Sequence, residues 1–191
     1  MSEPYRVLRS RIDLSGLPPL TRAVTEEVLL ATADFDFVTD LACDEPALAA
    51  GVAAIAAGAA VVADGAMVAA GIEGYPVTCK AIEPLAARLS RTTGITVPAA
   101  GIRLGFGECG PGAVWVVGSA PDAVEEILHR VVEPALVIGV PAGFAGASEA
   151  KAGLRASGLP ALTNMSPKGG PVIAVAAFTA LLRAATGEPP P

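Results

Sequence analysis

The stretch that decides the fold reads Pro134-Ala-Leu-Val-Ile-Gly-Val-Pro-Ala-Gly-Phe-Ala-Gly-Ala-Ser-Glu-Ala-Lys151. Its apolar run 135–140 has the length of a strand and no polar alternation, which is typical of a strand buried on both faces of a parallel sheet. Gly143 and Gly146 follow, and glycine lets a backbone approach a ligand closely or adopt positive φ. A helix is then expected to begin at Ala147 or Ser148. This order predicts a ligand site beyond the carboxyl end of the strand.

Strands and helices alternate along the rest of the chain. Strands are predicted at 59–63, 75–82, 113–117 and 159–165, the first of them buried. Helices are predicted at 21–31, 44–58, 84–90 and 172–182, with one more that Ser119 would cap and a short helix or turn at 65–71. Such alternation implies right-handed βαβ crossovers. The predicted fold is therefore a single α/β domain with a mainly parallel sheet flanked by helices. It would occupy residues 21–185, after an N-terminal arm at 1–20 and before a disordered tail at 186–191.

Composition excludes several classes of function. The net charge of −6 leaves no basic surface for nucleic acid or an anionic membrane. The three cysteines are scattered without a C-x-x-C pair, so neither a metal site nor a disulfide framework is expected. The uncharged run 47–63 is too short to span a membrane, and the N-terminus is not a signal peptide. A cytoplasmic location is the expectation.

Four further motifs accompany the opening stretch. They read Ala31-Thr-Ala-Asp-Phe-Asp-Phe37, Val61-Val-Ala-Asp-Gly-Ala-Met-Val-Ala-Ala-Gly-Ile72, Gly118-Ser-Ala-Pro121 and Lys168-Gly-Gly170. In this order the five stretches resemble the precorrin-8X methylmutase family of cobalamin biosynthesis, over roughly residues 21–183. The resemblance implies a homodimer with sites near the subunit interface. It also implies an isomerase without a cofactor that moves a methyl group from C-11 to C-12 of a corrin-type tetrapyrrole, giving hydrogenobyrinic acid or its cobalt counterpart.

The resemblance fails at the catalytic position. The family's histidine, which acts as the acid that protonates the ring, directly precedes the Ala31-Thr-Ala-Asp motif, and this chain has Leu30 there. An imidazole suits that role because its pKa lies near neutrality, whereas leucine has no proton to donate. The family's Thr-Arg-Ser and Gly-Asn-Ala-Pro motifs place Val97 and Ser119 where a substrate-positioning arginine and asparagine would stand.

The candidate substrate-binding residues combine the strand ends with the family motifs. They are Asp64, Met67, Val97, Ser119, Gly139, Gly143, Lys151, Lys168, Gly169 and Gly170. Three loops, 64–67, 139–146 and 168–170, are expected to line one pocket that Leu30 faces.

Each candidate also has a purely structural interpretation. Asp64 could cap a helix, the glycines could serve close packing, the two lysines could be exposed and Met67 could belong to the core. Asp34 or Asp36 would replace the missing acid if burial raised its pKa, but both could instead be solvated loop carboxylates. His129, the one histidine, is expected on a polar helix face.

Three functions follow as alternatives. The first is an isomerase whose acid is another residue or water. The second is a non-catalytic protein that binds or delivers a corrinoid. The third is a structural partner of an active paralogue.

Overall fold

The computed structural model describes residues 2–130 and 133–188. A six-stranded sheet lies at the centre of the fold that these residues form. Its strands are β1 (Leu41–Cys43), β2 (Val61–Ala63), β3 (Val77–Thr78), β4 (Val114–Val117), β5 (Leu136–Gly139) and β6 (Ala161–Asn164). They lie in the order β1-β6-β5-β4-β2-β3. Only β1 is antiparallel to its neighbour among these described strands. The predicted single α/β domain with a mainly parallel sheet is confirmed.

Helices connect and cover the strands. Those in the described ranges are α1 (Glu3–Arg11), α2 (Pro19–Thr32), α3 (Phe37–Asp40), α4 (Glu45–Ala56), α5 (Ala66–Gly71), α6 (Pro84–Thr93), α7 (Val97–Cys109), α8 (Pro121–Leu128), α9 (Ala147–Ala156) and α10 (Pro171–Thr186), with a 3₁₀ turn at Lys80–Ile82. None of the helices in these ranges is long and apolar enough to cross a membrane.

Alternate residues of the central strands face two different layers. Val116 and Ile138 pack into a core that includes α2, α4 and α10. Trp115 and Val137, their neighbours in sequence, pack into a second core formed with α7, α8 and α9. Every residue of β4 and β5 is buried, which explains why neither strand shows polar alternation.

The N-terminus and two elements differ from the sequence-based expectation. Residues 1–20 were predicted as an arm, but α1 buries Tyr5 and Leu8 and pairs with α2 through Arg9 and Glu26, with 2.7 Å between Nε and Oε1. The strand β1 is too short to give a clear pattern. The helix α7 carries three glycines, which weaken any helical signal.

The ends of other elements also shift. Only Val77–Thr78 of the strand predicted at 75–82 pairs as a strand, and a 3₁₀ turn occupies Lys80–Ile82. At the C-terminus, α10 runs to Thr186, and the Glu188 amide donates to the carbonyl of Arg183 at 3.0 Å. Residues 189–191 of the predicted tail lie outside the described residues, so disorder there stays a prediction.

Two glycines on α7 allow a matched test of close packing. A Cβ at Gly101 would lie 2.6 Å from the backbone nitrogen of Ala81, whereas a Cβ at Gly107 would meet nothing within 4 Å. We expect Gly101→Ala to lower the free energy of unfolding by about 1–3 kcal/mol, because backbone must move. Gly107→Ala should raise it by about 0.5–1 kcal/mol, because alanine favours the helix. Urea denaturation of both variants measures the difference, and equal effects would contradict the packing of α7 against the 3₁₀ turn.

Candidate functional site

The carboxyl ends of β2, β4, β5 and β6 bring the predicted loops together at one edge of the sheet. The amide of Gly170 donates to the carbonyl of Val140 at 2.7 Å, and the amide of Gly143 donates to the carbonyl of Pro167 at 3.0 Å. These bonds join the loop after β5 to the loop after β6. We call this region the carboxyl edge.

Asp64 ties the end of β2 to the loop after β4. Its side chain is fully buried and accepts hydrogen bonds from the amides of Gly118 (3.2 Å), Ser119 (2.6 Å) and Ala120 (3.2 Å), and from the Ser119 hydroxyl (3.0 Å). Burial raises the pKa of Asp64, and these hydrogen bonds oppose the rise. The carboxylate is therefore a structural link between two strand ends.

Neither Asp64 nor Ser119 caps the helix that follows it. The cap residue of α5 is Gly65 and that of α8 is Ala120, and neither residue makes a side-chain capping bond. The prediction that Ser119 caps a helix is wrong, because its hydroxyl is directed to Asp64 instead.

Lys151 is buried beneath the loop after β6. Its Nζ donates to Oδ1 of Asn164 at 2.9 Å, to the carbonyl of Ser166 at 2.5 Å and to the carbonyl of Lys168 at 2.7 Å. An ammonium group has three protons, so these bonds use all of them. Burial lowers the pKa of Lys151 to about 8, although the nearby Asp40 carboxylate raises it in part. Lys151 therefore stabilises the conformation of the loop after β6, and no proton of its ammonium group is left to bond to a ligand.

Asp40 and Asn164 complete this buried network, and sequence analysis missed both. The Asn164 side-chain amide donates to Oδ2 of Asp40 at 2.8 Å, and the amide and hydroxyl of Ser166 donate to the same carboxylate at 2.6 and 2.8 Å. Burial raises the pKa of Asp40, but these hydrogen bonds outweigh it and leave the pKa lowered. The available signal was a polar residue at the end of an otherwise apolar strand.

Lys168 binds two carboxylates on the segment between α2 and α3. Its Nζ lies 2.7 Å from Oδ2 of Asp34 and 2.6 Å from Oδ2 of Asp36, and 5.8 Å from the centre of the Phe37 ring. The hydrogen bond from Lys168 lowers the pKa of Asp34. A replacement acid working near neutrality needs a raised pKa, so the geometry does not support Asp34 in that role.

Glycines at this edge permit close approaches of backbone. A Cβ at Gly139 would lie 2.5 Å from Cδ2 of Leu154 on α9. A Cβ at Gly169, where φ is 153°, would lie 2.2 Å from the carbonyl oxygen of Val140. Gly143 and Gly170 also have positive φ, at 145° and 117°. Packing alone accounts for Gly139 and Gly169.

The remaining candidates, Met67, Leu30 and Val97, lie on three different helices. Met67 is 69% exposed, so the interpretation of Met67 as core is wrong. It lines a groove of about 340 Å³ between α2, α5 and α10, whose wall includes Ala31 and Val172. Leu30 is half-buried and packs against the main core. Val97 is the first residue of α7, beside a cap residue held by Asp122.

The single histidine lies away from this edge. The helix α8 leaves β4 at the carboxyl edge and runs back toward the start of β5, and His129 is its C-terminal cap residue. It therefore lies at the opposite edge of the sheet. No group of three or more His, Cys, Asp or Glu side chains that could hold a metal ion occurs within residues 2–130 and 133–188.

Comparisons with known proteins agree with the fold and the motifs. A sequence model of the family described as precorrin-8X methylmutase matches residues 1–184. The chain is 34% identical over 191 residues to a precorrin-8X methylmutase of Pseudomonas aeruginosa, covering 94% of this chain and 91% of the relative. It is 32% identical over 183 residues to a cobalt-precorrin-8 methylmutase of Salmonella typhimurium, covering 92% and 87%.

Solved structures give the same result. The crystal structure of a precorrin-8X methylmutase from Thermus thermophilus has a TM-score of 0.86 against this chain at 29% identity, covering 97% of this chain and 96% of that one.

The buried carboxylate at the carboxyl edge can be tested with an isosteric change. In Asp64→Asn, a side-chain NH₂ would face amide donors, so we expect the free energy of unfolding to fall by about 1–3 kcal/mol. Asp44→Asn is the matched control, because Asp44 is exposed and its side chain makes no capping bond. That control should stay within about 0.5 kcal/mol of the parent protein. Denaturant titration gives both values, and an unchanged Asp64→Asn protein would refute the proposed link.

Proposed function

The chain belongs to the precorrin-8X methylmutase family of isomerases in cobalamin biosynthesis, and we propose that it binds a corrin-type tetrapyrrole at the carboxyl edge with weak or altered methylmutase activity. The family acts on a corrin precursor. The loops that follow β2, β4, β5 and β6 meet at this edge, and ligands of open α/β sheets bind there.

One observation carries the proposal of weak activity: the position that the resemblance assigns to the acid is Leu30, an aliphatic side chain packed against the core. The nearest acidic candidate, Asp34, is held as a carboxylate by Lys168. Asp64 is buried and bonded to the loop after β4, and His129 lies at the opposite edge. Asp34 thus lacks a suitable pKa, the Asp64 carboxylate is already hydrogen-bonded to the loop after β4, and His129 lacks a suitable position.

The difference between the bonded scaffold of the carboxyl edge and the side chain at position 30 also favours a second function. The buried links through Asp64 and Lys151 shape the edge, whereas the position that the resemblance assigns to the acid is Leu30. A protein that holds or delivers a corrinoid without converting it needs the shaped edge but no acid. A partner of an active paralogue would also need only the scaffold. Turnover separates the isomerase from both of these alternatives.

A homodimer in the cytoplasm completes the proposal. The family resemblance, which implies paired subunits, supports the dimer. Static light scattering at micromolar concentration should give twice the mass of one chain. A monomer at that concentration would argue against the dimer.

The decisive experiment mixes the purified protein with precorrin-8X and follows its absorption spectrum. We expect the spectrum to show binding with slow conversion or none. The loss of a positioned acid typically lowers the rate about 10²- to 10⁴-fold.

Leu30→His should raise the rate only in part, because Val97 still lacks a charged group to position the substrate. Leu30→His with Val97→Arg should be faster than either single change.

Two controls sharpen the comparison. Leu30→Phe introduces a ring without a proton donor and should not raise the rate. Rapid turnover by the parent protein, unchanged in Asp34→Asn and Asp36→Asn, would show that the reaction does not need the acid that is missing here.

A further inference from the structure

Large apolar side chains are exposed around the carboxyl edge. Five of them lie on the segments that this edge joins: Phe35, Met67, Phe144, Met165 and Val172. We call this set the apolar rim. Contacts already described hold these segments together, since Lys168 binds both neighbours of Phe35, and the loop of Phe144 bonds to the loop that begins at Met165. Exposed apolar side chains of this size on neighbouring segments of one sheet edge indicate a binding surface.

Phe144 is the most exposed member of the rim and is held outward by the backbone on both sides. Its side chain is fully exposed. The preceding residue, Gly143, has a φ of 145° and donates its amide to Pro167 at 3.0 Å. Two residues later, Gly146 adopts a left-handed conformation, with a φ of 77°, and begins α9 as its cap. Both glycine conformations disfavour other residues, and the bond from Gly143 to Pro167 and the start of α9 hold the loop on either side of the ring.

Each of the three lysines of the chain is already paired with oxygen atoms of the protein. Lys168 is paired with Asp34 and Asp36, and Lys80, the other surface lysine, is paired with Glu83 and Glu108. Lys151, the third and last lysine of the sequence, is buried and donates to three oxygens of the protein. Each exposed lysine thus meets two carboxylates, and the chain as a whole carries a net charge of −6.

We infer that the apolar rim, with Phe144 at its most exposed point, binds the apolar face of the tetrapyrrole macrocycle and that contact with this face, not ion pairing with the ligand's carboxylates, provides the affinity. The inference rests on the proposed function, since it assumes a corrin-type ligand at this edge. A macrocycle has a broad flat face that covers an aromatic ring and the neighbouring methionines, and burial of such surface drives binding. The ligand's carboxylates then remain toward solvent.

The test uses hydrogenobyrinic acid as the probe, titrated into the parent protein and followed by absorption. Phe144→Ala should bind about 10- to 100-fold more weakly, as expected for the loss of one buried aromatic side chain. Phe144→Trp should keep most of the affinity, because it restores a flat apolar ring. Val7→Ala is the control, since Val7 is an exposed apolar residue of α1 outside the rim, and it should bind like the parent.

Salt gives a second and independent readout. Ion pairing with carboxylates would make the affinity fall as salt is added. Because an acidic chain and a polycarboxylate repel each other, we expect the affinity to stay constant or rise between low salt and about 0.5 M salt.

The outcomes distinguish a failure of the proposed function from a failure of the inference about the apolar rim. No binding by the parent protein overturns the proposed function and the inference with it. Binding by the parent that is unchanged in Phe144→Ala overturns the inference and leaves the proposed function standing. If Phe144→Ala instead loses self-association in light scattering and binds the probe normally, the rim is a contact between copies and the inference is wrong. An affinity that falls steeply with salt also overturns it.

Discussion

The buried ammonium group of Lys151 is the interaction on which the geometry of the carboxyl edge depends. It is fully buried, and its three donors meet Asn164 and two carbonyls of the loop after β6. A buried charge is costly unless it is hydrogen-bonded, so the loop is stable only in conformations that present these carbonyls. That conformation places Gly169 against Val140, in a space that no side chain could share. One charged group on α9 thereby fixes the path of the chain into α10.

Small residues are the second constraint, and they decide how closely the layers approach. With only 4% aromatic residues, the core fills its space with alanine and valine at short distances between elements. Gly51 on α4 lies so near Leu136 that a Cβ would come within 2.6 Å of Cδ2, and Gly139 stands in the same relation to Leu154. A packed interior tolerates little added volume, so these positions hold both helix layers against β5.

The fold was predictable from the sequence to a greater extent than the site. Unbroken apolar runs such as 135–140 reveal a strand buried on both faces, because both layers of helices require the same kind of residue. The strand β1 and the buried network of Asp40 and Asn164 were not predictable, since they depend on which segments meet in space. Lys151 illustrates the limit: family motifs and its charge favoured a ligand contact, but burial beneath a loop, which sequence does not reveal, commits all of its donors to the protein.

The side chains that shape the carboxyl edge and the side chain at position 30 contribute differently to the stability of the fold. The residues that shape the edge are buried and make several bonds each, so their loss would cost stability as well as binding. Position 30 is different, because its side chain contributes packing against the core and makes none of the bonds that hold the loops. An imidazole there would bring a polar group to a half-buried surface, whereas leucine adds apolar contact. Leucine at this position is therefore favourable for folding.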